Sequence, residues 1–418
     1  KAIRLYTQYN KINRDSEALG KRGIAYFNYN LVDKAVEDFT AAKKLGNNNP
    51  VLYLKMGQSK QFLRLFDEAS FFYQKYLELA DKNGPYRKLA ELEIKNCVFS
   101  ALETFETAGT LIQNFGDDVN SRYDEIYPIQ SPKFGNVFYF SSNRNKSNFD
   151  IFSYTLSEDG LWSKNDMTKK PFNNGYHNVA LDVDAATINA LLYSEVSMGE
   201  ETIQFASFDL SGQDIVVKLP KSIFEGAKDI SIVNHNMLVF SSKKLNGFGG
   251  YDIFTVNYKD GTWSTPLNLG GAINSPFDEI CPFYSNNLDH FYFSSNRPYC
   301  FGGYDIYYCD ISNKKFPVNM GYGINSHGDE LHFNIDDAGH MATFSSNRKT
   351  GLGGYDLYFA YLQDIKNMGV RDSLVFEYLI NPDEEYVHIK NRDDLVSLES
   401  NNGKLNSSKE LKTIEISN

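Results

Sequence analysis

Five near-copies of one segment, about fifty residues apart, constrain this chain more than anything else in it. The fullest copy reads Phe291-Tyr-Phe-Ser-Ser-Asn-Arg297 and continues as Phe301-Gly-Gly-Tyr-Asp-Ile-Tyr307. It returns as Thr343-Phe-Ser-Ser-Asn-Arg348 with Gly351-Leu-Gly-Gly-Tyr-Asp-Leu-Tyr358. Earlier copies are Val239-Phe-Ser-Ser-Lys243 with Gly247-Phe-Gly-Gly-Tyr-Asp-Ile-Phe254, and Phe138-Tyr-Phe-Ser-Ser-Asn-Arg144 with Asn148-Phe-Asp-Ile-Phe152. A worn copy is Leu191-Leu-Tyr-Ser-Glu195, followed by Gln204-Phe-Ala-Ser-Phe-Asp-Leu210. The marker serines Ser141, Ser194, Ser241, Ser294 and Ser345 are separated by 53, 47, 53 and 51 residues. The aromatic runs favour strands and show no helical period. Ser, Asn and Gly then turn the chain, and Tyr-Asp-Ile-Phe opens the next strand. Repeats of this length made of short strands predict an all-β propeller of five visible blades, with a sixth possible.

Three copies share a lead-in. It reads Phe115-Gly-x-x-Val-Asn-Ser-x-x-Asp-Glu125, Leu269-Gly-x-x-Ile-Asn-Ser-x-x-Asp-Glu279 and Met320-Gly-x-x-Ile-Asn-Ser-x-x-Asp-Glu330. A catalytic site needs one copy of its residues, so recurrence assigns these positions a structural task. The same logic covers Arg144, Arg297 and Arg348, and Asp150, Asp252, Asp305 and Asp356. They are expected to pair within or between blades, or to tie turns to backbone. Asp159-Gly160 and Asp260-Gly261, each followed by Leu or Thr and then Trp, read as two-residue hairpin turns. Residues 108–113 are placed to supply the last strand of the final blade and so close the ring.

Residues 1–110 carry a different period. Gly23, Tyr26, Ala35, Phe39 and Ala42 are matched 34 residues later by Gly57, Lys60, Ala69, Tyr73 and Tyr76. A 34-residue period with small residues at the helix crossing is the tetratricopeptide (TPR) signature. It predicts a short N-terminal α-solenoid ahead of the propeller, giving an α+β multidomain chain. In that register Phe27, Asn28, Gln58, Gln61 and Phe62 line the concave, protein-binding face. Phe27 and Phe62 serve equally well as inter-repeat core. Residues 111–365 form the propeller. Residues 366–418 read as a degenerate blade, extra strands or a tail.

The Ser-Ser-Asn-Arg and Gly-Gly-Tyr-Asp-Ile pair at this period resembles the PD40 (WD40-like, TolB-type) propeller repeat. Tetratricopeptides followed by such a propeller resemble the OmpA-family envelope proteins of Bacteroidota, including the PorE-type component of type IX secretion and gliding machinery. The resemblance covers residues 15–361. It implies a periplasmic, outer-membrane-associated scaffold whose partners are an outer-membrane β-barrel, a secreted adhesin or another secretion-machine component. The OmpA-like domain of that family is not recognisable here, so peptidoglycan contact is not carried over.

Composition narrows the function further. A net charge of −11 argues against nucleic acid or an anionic membrane surface as the main partner. No apolar run approaches the ~18 residues needed to cross a bilayer. Lys1 opens directly onto Ala2-Ile-Arg-Leu-Tyr without a leader, as in a trimmed chain. Cys97, Cys281, Cys300 and Cys309 form no Cys-x-x-Cys pair. Buried free thiols are favoured, with a disulfide among the last three left open. No Gly-x-Ser-x-Gly elbow or phosphate loop occurs. His327-Gly-Asp-Glu-Leu-His332 has metal-capable side chains but no zinc spacing. The expectation is therefore no catalytic residue, cofactor or metal. The alternative is a glycan- or peptide-binding propeller, or a hydrolase, with its site in the central channel. A wide cleft there would favour it.

Overall fold

The computed structural model describes residues 2–362 apart from 14, 30, 104–109, 133, 146–147, 168–172, 174, 185–189, 198–199, 209–213, 225, 235 and 311–316. Structural statements concern these residues. The expected sixth blade, extra strands or tail at 366–418 lies outside them. The described residues fall into two compact units, one helical and one built of strands. The helical unit also takes in the short segment Pro298–Gly303.

Six helices make up the first unit: α1 (Ala2–Ile12), α2 (Ser16–Asn28), α3 (Val32–Lys44), α4 (Pro50–Phe62), α5 (Phe66–Leu79) and α6 (Arg87–Glu103). Their starts are written in the sequence. Asp15 caps α2 by accepting from Ala18 N–H at 2.9 Å, and Asn49 caps α4 by accepting from Val51 N–H at 3.0 Å. Pro50 follows at a position where its missing N–H costs nothing. The 34-residue period appears as equivalent packing. Gly23 lies against the Phe39 ring, and Gly57 lies against the Tyr73 ring. Ala35 and Ala69 are fully buried between the paired helices. None of these helices is long and apolar enough to cross a membrane.

The second unit is a five-bladed β-propeller. Strand β1 (Leu111–Asn114) comes first in the chain but belongs to the last blade. Blade 1 runs β2 (Glu125–Gln130), β3 (Val137–Ser142), β4 (Asp150–Leu156) and β5 (Trp162–Lys164). Blade 2 runs β6 (His177–Asp184), β7 (Ala190–Ser197), β8 (Glu200–Phe208) and β9 (Asp214–Lys218). Blade 3 runs β10 (Ala227–Asn234), β11 (Met237–Ser242) and β12 (Asp252–Lys259), edged by β13 (Thr262–Trp263) and β14 (Leu267–Asn268). Blade 4 runs β15 (Glu279–Ser285), β16 (His290–Ser295), β17 (Asp305–Asp310) and β18 (Val318–Asn319). Blade 5 runs β19 (Glu330–Ile335), β20 (Met341–Ser346) and β21 (Asp356–Tyr361), and β1 completes it, Leu111 opposite Tyr361 and Asn114 opposite Tyr358. The ring thus closes as the order of segments predicts.

First strands of successive blades neighbour one another in a closed circuit, β2–β6–β10–β15–β19 and back to β2. Aromatic side chains fill the spaces between blades, as Phe115, Trp162 and Phe359 do in one stacked group. At the blade 3 hairpin, Asp260 and Gly261 both take left-handed φ, 50° and 81°, as a type I′ turn requires.

Candidate functional site

The residues that recur are consumed in holding the blades. In blade 4, Glu279 accepts from Ser275 N–H at 2.7 Å, Ser275 Oγ at 2.5 Å, Ser295 Oγ at 2.9 Å and Arg297 at 2.9 Å. Arg297 is 1% exposed and also donates to the Ile273 carbonyl. Glu125 with Arg144 and Glu330 with Arg348 repeat the arrangement in blades 1 and 5. Burial raises all three glutamates above the ordinary carboxylate range, and the arginine and serine partners oppose it.

The lead-in asparagines and aspartates tie each blade to the one before. Asn274 bonds both backbone groups of Ile253, Asn325 those of Ile306, and Asn120 those of Leu357. Asp278, Asp329 and Asp124 accept from the backbone N–H of Tyr251, Tyr304 and Tyr355. Asp252, Asp305 and Asp356 accept from Asn268, Asn319 and Asn114. The expected pairing of arginines and aspartates therefore holds at these positions.

A different set of residues faces the axis. Every first strand carries a register shift at the same phase, between Ile126/Ile129, Ala180/Asp182, Lys228/Ser231, Ile280/Phe283 and Leu331/Asn334. An extra residue bulges out at each shift. In four blades that bulge holds a non-glycine residue in the left-handed region: Tyr127 (φ 55°), Asp229 (53°), Cys281 (53°) and His332 (56°). Such backbone costs about 1–3 kcal/mol per residue and persists where the surroundings enforce it.

These four side chains line a cavity of about 30 Å³ on the ring axis, with Asp182 and Asn334 among its other walls. The Tyr127 hydroxyl donates to Asp229 Oδ1. Asp229 Oδ2 accepts from Cys281 N–H at 3.3 Å and lies 3.7 Å from Lys228 Nζ. The His332 ring lies against Tyr127 with centroids 3.7 Å apart, and its Nδ1 is 3.2 Å from Ser345 Oγ. Desolvation pushes His332 down to about 3, against the pull of Asp229, so the imidazole is neutral at physiological pH. Burial first, and Asp229 second, push the Cys281 thiol up. Asp229 raises Lys228.

The motif His327–His332 does not act as a pair. His332 reaches the axial cluster, whereas the His327 ring lies against Tyr322 at 5.8 Å. All four cysteines are buried thiols, and no disulfide links Cys281, Cys300 and Cys309.

The residues expected on the helical binding face are divided. Asn28 is exposed, and Gln58 is half-buried, accepting from Lys55 Nζ at 2.7 Å. Phe27 and Phe62 are half-buried, Phe27 packing on the helical core beneath Lys55 Nζ at 5.1 Å. Gln61 is 5% exposed and turned inward: it accepts from Tyr73 at 2.5 Å and donates to Glu93 at 2.8 Å. Its amide is used by the core.

The fold and site define a five-bladed propeller, accompanied by a helical unit, with structural polar networks in its blades and a small polar pocket on its axis. No protein-family model matches the sequence, and no curated protein matches it. Among solved structures, it is similar to a protein described as TolB from Agrobacterium tumefaciens, at 13% identity and TM-score 0.33, over 58% of this chain and 91% of that one. It is similar also to prolyl endopeptidases, at 12% identity and TM-score 0.29, over 52% of this chain and 30% of that one. Oligopeptidase B from Leishmania major matches at 12% identity and TM-score 0.26, over 67% of this chain and 36% of that one. Likenesses this distant carry no argument about function, and the fold stated here rests on the strand pairing.

Proposed function

We propose that this chain is a non-catalytic scaffold or adaptor that binds other proteins through its helical unit and its propeller faces. In this reading the helical unit is a TPR-type arch. The setting is periplasmic and outer-membrane-associated, in a type IX secretion or gliding assembly, with an outer-membrane β-barrel, a secreted adhesin or another machine component as partner.

The observation that carries the reading is the destination of the repeated polar side chains. Glu125, Glu279 and Glu330, their arginines, and the lead-in asparagines are bonded inside or between blades. The alternative of a glycan, peptide or hydrolytic site in the channel is disfavoured by size. Small-molecule sites are typically ~300–1,000 Å³, while the axial cavity measures about 30 Å³.

The test is co-purification of the tagged full chain from the native envelope. A stoichiometric protein partner is expected, with its recovery reduced several-fold by the double substitution Asn28→Ala and Gln58→Ala while far-UV circular dichroism is unchanged. Recovery of free monomer alone would overturn the reading.

A further inference from the structure

The positions where the repeats agree build the blades, so the positions where they disagree are the ones free to do something else. At the axial bulge the five blades disagree completely. Blades 3, 4 and 5 present Asp229, Cys281 and His332, while blade 1 presents Tyr127 and blade 2 has Ala180 at the equivalent register position. One ligating atom from each of Asp229, Cys281 and His332 lies within 4.8 Å of the others. We infer that this axial trio is a binding site for a zinc-class divalent transition metal, held by one oxygen, one sulfur and one nitrogen from three different blades.

The donor set selects the metal class. Thiolate with imidazole suits zinc and its neighbours, whereas calcium and magnesium take oxygen ligands. Tetrahedral zinc, with ligand distances of about 2.0–2.3 Å, sets its donors about 3.4–3.8 Å apart. Atoms within 4.8 Å of each other reach that spacing through a contraction of at most about 1.4 Å. The cavity of about 30 Å³ admits an ion with a water and little more.

The surroundings suit the site as well. Tyr127 donates to the Asp229 carboxylate from outside the trio, the arrangement by which outer groups orient metal ligands. Binding replaces the Cys281 S–H by a metal–sulfur bond and releases one proton to solvent. Lys228, which approaches Asp229 at 3.7 Å and lies over the Tyr251 ring at 5.4 Å, has a side chain 46% exposed, so water can take up its charge as the cation arrives. Bound there, the metal would cross-link three blades at the centre of the ring. This inference stands apart from the identity of any protein partner.

The test uses the full chain, chelator-treated and kept reduced, titrated with zinc chloride by calorimetry and with cobalt chloride by absorbance. Expected are one equivalent per chain and a cobalt spectrum with a thiolate charge-transfer band. Cys281→Ser and His332→Gln are each expected to weaken binding at least a hundredfold. Tyr127→Phe should weaken it about 10–100-fold, as loss of an orienting group does, and His327→Gln should leave it unchanged. Zinc should raise the melting temperature of the wild type and not of Cys281→Ser. Absence of the thiolate band in the wild type, or binding that survives both Cys281→Ser and His332→Gln, overturns the site. The wild-type cobalt spectrum decides alone should a variant fail to fold.

Discussion

Glu330 shows how burial and pairing compete at one residue. Its carboxylate is fully buried, yet Ser326, Ser346 and Arg348 all donate to it. Burial still wins, so its folded-state pKa lies above the value of 4.5 for an unperturbed glutamate. A raised carboxylate means the native state holds the proton longer than the unfolded chain. Its contribution is therefore fully present below 4.5 and is lost as pH rises through the folded value. Glu330→Gln is expected to cost about 1–3 kcal/mol, and the gap to wild type should narrow as pH rises from about 4 to 7. Urea unfolding across that range measures it, and a gap that widens with pH would refute the assignment. Residues of this kind were legible in the sequence because they repeat. The axial set was not, because its members differ from blade to blade; His332 stood out only as part of the His327–His332 motif. The remaining signal is positional: Cys281 and His332 each stand two places after the repeated glutamates Glu279 and Glu330, as Tyr127 does after Glu125. No glycine marks the left-handed backbone that aims them.

Among the elements, the helix pairs make the clearest case for reading a period as packing. A Cβ added at Gly57 would lie 2.6 Å from two atoms of the Tyr73 ring, which is 0% exposed and cannot retreat. At Gly20 the nearest atoms are 3.4 and 3.6 Å away, on Asn47 and Leu52 side chains. Alanine favours a helix interior by about 1 kcal/mol over glycine at either place. Overpacking reverses the sign at the first, where Gly57→Ala is expected to lose about 1–3 kcal/mol. Gly20→Ala should be neutral or gain up to about 1 kcal/mol. Chemical denaturation of the two variants separates these outcomes, and equal effects would mean that the 34-residue match does not report close helix contact. The same period misplaced Gln61. Its partners Tyr73 and Glu93 stand 12 and 32 residues away, on other helices, and no repeat in the sequence joins all three.

For the whole propeller, the decisive question is how a chain with two ends makes a ring without one. Here the first strand, β1, is paired against β21 in blade 5, and no covalent bond closes that seam. Asn114 is the residue that fastens it. Its Oδ1 accepts from Gly116 N–H at 2.8 Å and Asn120 at 2.9 Å, and its Nδ2 donates to Asp356 at 3.0 Å. Asp356 is fully buried and, when Asn114 is removed, keeps the Leu352 and Gly353 N–H groups as donors. Asn268 and Asn319 make the same bonds in blades 3 and 4, but there the neighbouring strands are also joined through the chain. Asn114→Ala is therefore expected to cost about 2–3 kcal/mol, three bonds at about 1 kcal/mol each. The loss should be local. Amide exchange should quicken in β1 and β21, and in β5, whose Trp162 donates to the Phe115 carbonyl and stacks on Phe359 across the seam. Exchange in β11 of blade 3 should stay as it was, and Asn268→Ala should move the effect to blade 3 instead. Uniform quickening from either substitution would mean that the ring opens only as one cooperative body, with the strand order at its seam lending no separate point of failure.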